Sequence, residues 1–251
     1  MAVTFRHLIT GLLLLAGVFG IGGRAQTSTS LPRQVSFQFT VFALGGIDGV
    51  FYLPKEGAEA QALKFYSAYR SPTYHYKGGE QVRFFAPAAD GIPAPVVAVY
   101  TVPEGAPQNL LLLFFPKDTV TDTGLKYDVY VVDDGADRTP AGSFTTINVS
   151  GREYAAQYGA NRITIPRGIG TAHEGKGRVK LLLASQVDDA WMPAGRHEFV
   201  MGERDRVTLI FYPPANRTAI YPIIRRLAET LPPADKKSGE YAQSGVPSED
   251  L

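Results

Sequence analysis

From Leu31 to Leu231 the chain is a succession of short runs rich in Val, Ile, Phe, Tyr and Thr, separated by Gly, Pro, Asn and Asp. β-Branched and aromatic side chains suit a pleated surface, and Gly and Pro supply the backbone angles of turns, so this punctuation predicts strands and turns. In Arg206-Val207-Thr208-Leu209-Ile210-Phe211, the residues Val207, Leu209 and Phe211 share one side; Val82 and Phe84 stand opposite Gln81 and Arg83. Such alternation predicts antiparallel strands with one face on a core and the other toward water. Leu110 to Phe115 is apolar at both parities and is bounded by Asn109 and Pro116. It is too short for a typical helix, so it predicts a central strand covered on both sides.

By the same criteria strands are expected near Val35–Phe42, Gly49–Leu53, Leu63–Ala68, Thr73–Tyr76, Gln81–Phe85, Val96–Val102, Asn109–Phe115 and Lys126–Val132. A second series is expected near Ser143–Val149, Glu153–Tyr158, Arg162–Ile165, Val179–Ser185, Arg196–Met201, Arg206–Tyr212 and Ala219–Arg226. Helical spacing is confined to a turn or two at Glu56–Gln61 or Arg225–Leu231. About fifteen strands exceed the seven to nine of one immunoglobulin-like sandwich. The expected fold is therefore all-β: two Ig-like antiparallel β-sandwich modules in tandem, 31–139 and 140–231, with one large sandwich as the alternative. A loose echo supports the division, since each half has a late apolar strand ending in Pro, Leu110–Pro116 and Val207–Pro213. Pro140-Ala141-Gly142-Ser143-Phe144, followed by Ile147-Asn148-Val149-Ser150, resembles the turn-and-strand opening of Ig-like or transthyretin-like modules in exported bacterial proteins. The resemblance implies a β-sandwich and brings no functional residue with it. Residues 232–251 lack apolar periodicity and are expected to form a disordered tail.

The N-terminus has another pattern. Arg6-His7 precedes an apolar run from Leu8 to Ile21, and Gly22-Gly23-Arg24-Ala25 follows. These are the three regions of a secretory signal, with Gly23 and Ala25 at the cleavage positions, so residues 1–25 are expected to be removed. The run is shorter than the about 20 residues of a bilayer-spanning helix, and no transmembrane helix is expected after cleavage. The chain has no cysteine. That removes disulfides, thiol nucleophiles, thiolate metal sites and lipoprotein attachment, and leaves packing to hold the fold. An exported chain without disulfides fits a bacterial periplasm or cell surface. Its 25 Lys and Arg stand against 24 Asp and Glu, and Arg6 and Arg24 belong to the leader. A nearly neutral chain lacks the basic stripe of a nucleic-acid binder, so no nucleic acid is expected as a partner.

The densest unusual segment runs from Phe65 to Lys77. Tyr66, Tyr69, Tyr74, His75 and Tyr76 are candidate ligand contacts, because such rings offer apolar faces and polar edges to a sugar or a partner side chain. The alternative is a tyrosine-rich hairpin with Tyr74 and Tyr76 in the core. Asp133, Asp134 and Asp137 are candidate oxygen ligands for Ca2+, although they depart from the spacing of a calcium loop. The alternative is a turn in which Asp side chains accept nearby N–H groups and Gly135 takes a positive φ. His197 shares the parity of Phe199 and Met201, as a packed histidine would. Arg162, Arg167, Lys176, Arg178 and Lys180 make one stretch basic, either as the solvated face of a hairpin or as a contact for an anionic polymer. No G-x-S-x-G or S-x-x-K motif is present. The expected role is thus a secreted, non-catalytic envelope protein that binds or scaffolds an envelope glycan or protein partner. One alternative is a polysaccharide hydrolase using two carboxylates distant in sequence; another is a structural subunit of a surface assembly.

Overall fold

Leu110–Phe115, apolar at every position, runs through the middle of the fold. The computed structural model describes residues 33–233 except 67–68, 89–93, 118–123, 215 and 217. The expected leader and nearly all of the expected tail lie outside the described residues. Before Arg138 come β1 (Gln34–Ala43), β2 (Phe51–Tyr52), β3 (Gln61–Ala62), β4 (Tyr74–Gly79), β5 (Gln81–Phe85), β6 (Val96–Thr101), β7 (Asn109–Pro116) and β8 (Tyr127–Asp133). After it come β9 (Ser143–Asn148), β10 (Tyr154–Tyr158), β11 (Asn161–Ile165), β12 (Gly168–Ile169), β13 (His173–Glu174), β14 (Gly177–Val187), β15 (Ala190–Met201), β16 (Asp205–Tyr212) and β17 (Ile223–Thr230). The described residues contain no helix, so the protein is all-β.

The strands form four sheets that divide by sequence. In the first half, β4-β1-β7-β8 faces β3-β2-β5-β6. In the second half, β12-β9-β16-β17, with β13 also paired to β9, faces β11-β10-β14-β15. The two halves have one topology: β1–β3 correspond to β9–β11, β4 to the interrupted β12 and β13, and β5–β8 to β14–β17. The sequence echo thus falls on equivalent strands, β7 and β16. Each half also has one parallel pair, β1 with β7 and β9 with β16, among otherwise antiparallel pairings. The ABED/CFG order of an immunoglobulin constant domain has no such pair.

Three cores explain why β7 and β16 are buried on both faces. Leu110, Leu112 and Phe114 of β7 pack with Phe37, Phe39 and Phe84 in the first core, and Val207, Leu209 and Phe211 of β16 pack with Phe144 and Leu181 in the second. The third core joins the halves through Phe42, Leu111, Leu113 and Val132 on one side and Ile147, Ile210, Tyr212 and Leu227 on the other. Parallel pairs are found where both faces are covered, and both occupy these inner sheets. The described residues form one compact unit.

Four local expectations differ from the structure. The even-numbered side of β16 does not meet water: Thr208, Ile210 and Tyr212 are buried, as is Arg206, because the other half covers them. Arg225–Leu231 is not helical, since its ladder with β16 overrides local propensity. β3 lies before Leu63 rather than along the described part of Leu63–Ala68, whose residues 67 and 68 lie outside the described residues; the N–H groups of Leu63 and Lys64 bond to the Val50 carbonyl and the Tyr74 hydroxyl rather than in a ladder. β15 starts at Ala190, ahead of the expected Arg196, and carries Pro193 and Gly195 at a bulge on an edge strand, where such residues are tolerated. The β14–β15 turn is Asp188-Asp189, both with positive φ (45° and 64°), as a two-residue hairpin turn requires.

Candidate functional site

Alternation along β4 separates the tyrosine cluster into core and surface. Tyr74 and Tyr76 point inward: the Tyr74 ring lies 5.5 Å from Phe39 and 5.6 Å from Tyr52, and the Tyr76 ring 5.3 Å from Phe37. The Tyr76 hydroxyl donates to the Gly79 carbonyl at 2.9 Å, and a Cβ on Gly78 would stand 2.7 Å from that hydroxyl, so a larger residue there would displace the ring's hydroxyl end. Burial raises the pKa of both phenols. Both residues therefore pack in the first core, and Tyr76 also borders a cleft of about 640 Å3. His75, between them, is exposed, as are Tyr66 (41%) and Tyr69 (73%).

His75 belongs to a polar row that sequence spacing does not disclose. It pairs with Gln38 on β1, which pairs with Asn109 on β7, so three hydrogen-bonding side chains lie on adjacent strands. The Gln38 amide donates to Asn109 Oδ1. This face of the sheet becomes the apolar third core farther along, at Phe42, Leu111 and Leu113. At its uncovered end it forms a shelf between two clefts of about 490 and 640 Å3, each bordered by Gln38 and Asn109. Tyr69 and Thr73 border the smaller cleft, and His75, Lys55 and Lys77 the larger.

The smaller cleft reaches a charged network that ties the halves together. The Arg70 guanidinium donates to Asp134 Oδ2 and, at 3.2 Å, to the Thr208 hydroxyl. Arg206 donates through Nε and Nη2 to Glu229 Oε2 at 2.9 and 2.6 Å, and through Nη1 to the Asp134 carbonyl at 2.6 Å. Arg206 Nη2 also lies 3.6 Å from Asp134 Oδ2. The side chains of Arg70, Arg206 and Asp134 are 8%, 9% and 11% exposed, while Glu229 at 39% reaches solvent. Burial pushes the Asp134 carboxyl above its ordinary range, and the two guanidiniums only partly oppose it. Arginine suits this site because its planar fork can serve several acceptors at once. Nothing local in the sequence pairs Arg206 with Glu229, whose meeting depends on the β16–β17 register. The one hint is an arginine opening a strand that is otherwise almost wholly apolar or Thr.

The candidate calcium ligands do not converge. Asp133 Oδ1 accepts the Gly135 N–H at 2.9 Å, as the turn reading expected, though Gly135 does not have a positive φ. Asp134 is held by the arginines, and Asp137 is exposed. Among the described residues no three His, Asp or Glu side chains are grouped so as to hold a metal ion. His197 lies against Phe199, with ring centroids 5.9 Å apart, and burial with the Arg226 charge lowers its pKa. No protein-family model matches this chain, and no curated protein matches it either.

Proposed function

We propose that the protein is an exported, non-catalytic binding component of a bacterial envelope, and that it presents the His75–Gln38–Asn109 shelf, with Tyr69 beside it, to sugar hydroxyls or to the amides of a protein partner. The row itself carries this reading. Hydrogen-bonding side chains on three adjacent strands lie beside an exposed ring, the combination of polar groups and aromatic surface that orients a ligand. Export rests on the leader-like residues 1–25. A second reading, polysaccharide hydrolysis, draws on Asp134 and Glu229, which border one cleft while burial raises Asp134 as a general acid requires. Their engagement with Arg70 and Arg206 favours the binding role, because carboxylates locked in ion pairs are poorly placed to exchange protons. Affinity electrophoresis on a polysaccharide panel, with reducing ends measured in parallel, tests both. Retention that weakens in Gln38→Ala and Tyr69→Ala without product release is expected. Product release abolished by Asp134→Asn would establish the hydrolase instead.

A further inference from the structure

The outer face of the β11-β10-β14-β15 sheet carries a pattern distinct from the shelf. Strand register sets Arg162, Gln157, Leu182 and Arg196 in one row across all four strands. Lys180 opposite Glu198 and Arg178 opposite Val200 follow on one side, with Ala184 opposite Pro193 and Gln186 opposite Trp191 on the other. The alternate residues Val179, Leu181, Leu183 and Phe199 fill the second core, so this set faces away from it. Within these rows four cations stand against one carboxylate. Arg178 is paired with Glu198 at 3.0 Å, whereas Arg162, Lys180 and Arg196 have no carboxylate within ion-pair distance among the described residues. Leu182, Trp191 and Val200 are 51%, 52% and 64% exposed between these charges. The Asp188 and Asp189 carboxylates sit at the hairpin turn beyond Trp191.

We propose that this face docks an acidic polysaccharide laid along the β14–β15 hairpin, with Arg162, Lys180 and Arg196 pairing with its carboxylate or sulfate groups and Trp191 stacking on a sugar ring. Arg162 and Arg196 are three inter-strand steps apart, about 14 Å, and Trp191 and Val200 are nine residues apart along the strand, about 30 Å. That length takes several sugar units. Guanidinium groups match carboxylate and sulfate geometry, and an indole combines an apolar face with a polar edge. Several features favour a glycan over a nucleic acid. The cations are far sparser than backbone phosphates, the face is a sheet with no ridge to enter a groove, and exposed Leu and Val fit the C–H surfaces of sugars better than phosphates. Strand addition at the β15 edge is disfavoured by Pro193, by the bulge and by charged Arg196 and Glu198. The contact is therefore made by side chains on the face.

The test uses the full chain against polygalacturonate, dextran sulfate, uncharged dextran and duplex DNA at low and high salt. Retention by polygalacturonate or dextran sulfate, absent on dextran and lost at high salt, is expected, and the acidic polymer that retains it identifies the group recognised. The combined variant Arg162→Ser, Lys180→Ser, Arg196→Ser should lose about 10- to 100-fold in affinity with its melting temperature unchanged. Trp191→Ala should lose several-fold, and Arg83→Ser, which removes an exposed cation from β5 in the first half, should bind as the unaltered chain does. No retention on either acidic polymer, undiminished retention by the triple variant, or DNA bound as tightly as the better polysaccharide would overturn the proposal. So would loss of retention in Arg83→Ser, which would place binding on the first half. Retention accompanied by product release would support the docking face while refuting the non-catalytic role.

Discussion

The Arg70–Asp134 pair is the most direct test of how the halves are held together. Replacing Arg70 by Met keeps an unbranched side chain but leaves the Asp134 carboxylate, 11% exposed, with only the Arg206 nitrogen at 3.6 Å, and it leaves the Thr208 hydroxyl without its donor. Breaking a buried pair typically costs about 3–5 kcal/mol, and the remaining guanidinium places this variant near the lower end. Asp134→Leu strands Arg70 with Thr208 and with Glu229 at 3.7 Å, at a similar cost. Burial raises the Asp134 pKa despite two neighbouring cations, so their attraction does not fully offset the desolvation of the carboxylate. The double variant, which removes both charges, should then be no less stable than either single variant, a coupling of about 2–4 kcal/mol. Urea unfolding measures it by circular dichroism and by fluorescence of Trp191, the only tryptophan and a reporter on the second half. Single-variant costs that add in the double to within about 0.5 kcal/mol would show that the two side chains do not act as a pair.

Other consequences are simpler to state. Tyr74→Ala should destabilise by about 3–5 kcal/mol in urea titration because it empties a core site against Phe39 and Tyr52. The Tyr212 hydroxyl is buried in the third core without a hydrogen-bond partner among the described residues, and burial raises its pKa; Tyr212→Phe should therefore raise the urea midpoint, by about 1 kcal/mol in free energy. Burial lowers the pKa of both His173 and His197 below 6.5. Each takes up a proton more readily when unfolded, so the stability contributed by the neutral rings is complete above pH 6.5 and is lost as pH falls through the depressed native values. His197→Gln should flatten part of that slope between about pH 7 and pH 5.

The sheets were legible because burial leaves an imprint at period two. Leu110–Phe115 announced a doubly covered strand, and the alternation in β5 and the shared parity of His197, Phe199 and Met201 marked the faces turned toward a core. The hidden side of β16 was not legible. Arg206 and Thr208 read as solvent-facing because polarity normally means water, whereas here a second sheet covers them and ion pairing and hydrogen bonding satisfy them. The shelf was missed for a similar reason. His75 was visible as one residue of an aromatic cluster, but Gln38 and Asn109 join it only through the β4-β1-β7 order, which includes a parallel pair separated by most of the first half. The basic stretch from Arg162 to Lys180 was visible. Its extension to Arg196 depended on the pairing of β14 with β15.

The repeated topology sharpens the case for reading function from side chains. The first rung of one parallel ladder is Gln38 with Asn109, and that of the other is Ser143 with Arg206; Gln38, Asn109 and Arg206 all border the smaller cleft. The cleft thus forms where equivalent ends of the two inner sheets meet, and only one half supplies the neutral polar pair. The outer sheets diverge as well. Phe51, Leu53 and Phe85 line an apolar cleft of about 430 Å3 on β3-β2-β5-β6, where the equivalent sheet of the other half carries Arg162, Lys180 and Arg196. Two copies of one backbone plan carrying different surface chemistry cannot owe that chemistry to the plan. Exchanging the outer residues while keeping the inner alternation should therefore move acidic-glycan retention from one sheet to the other, whereas retention that stayed with the second half after its cations were removed would tie binding to backbone shape.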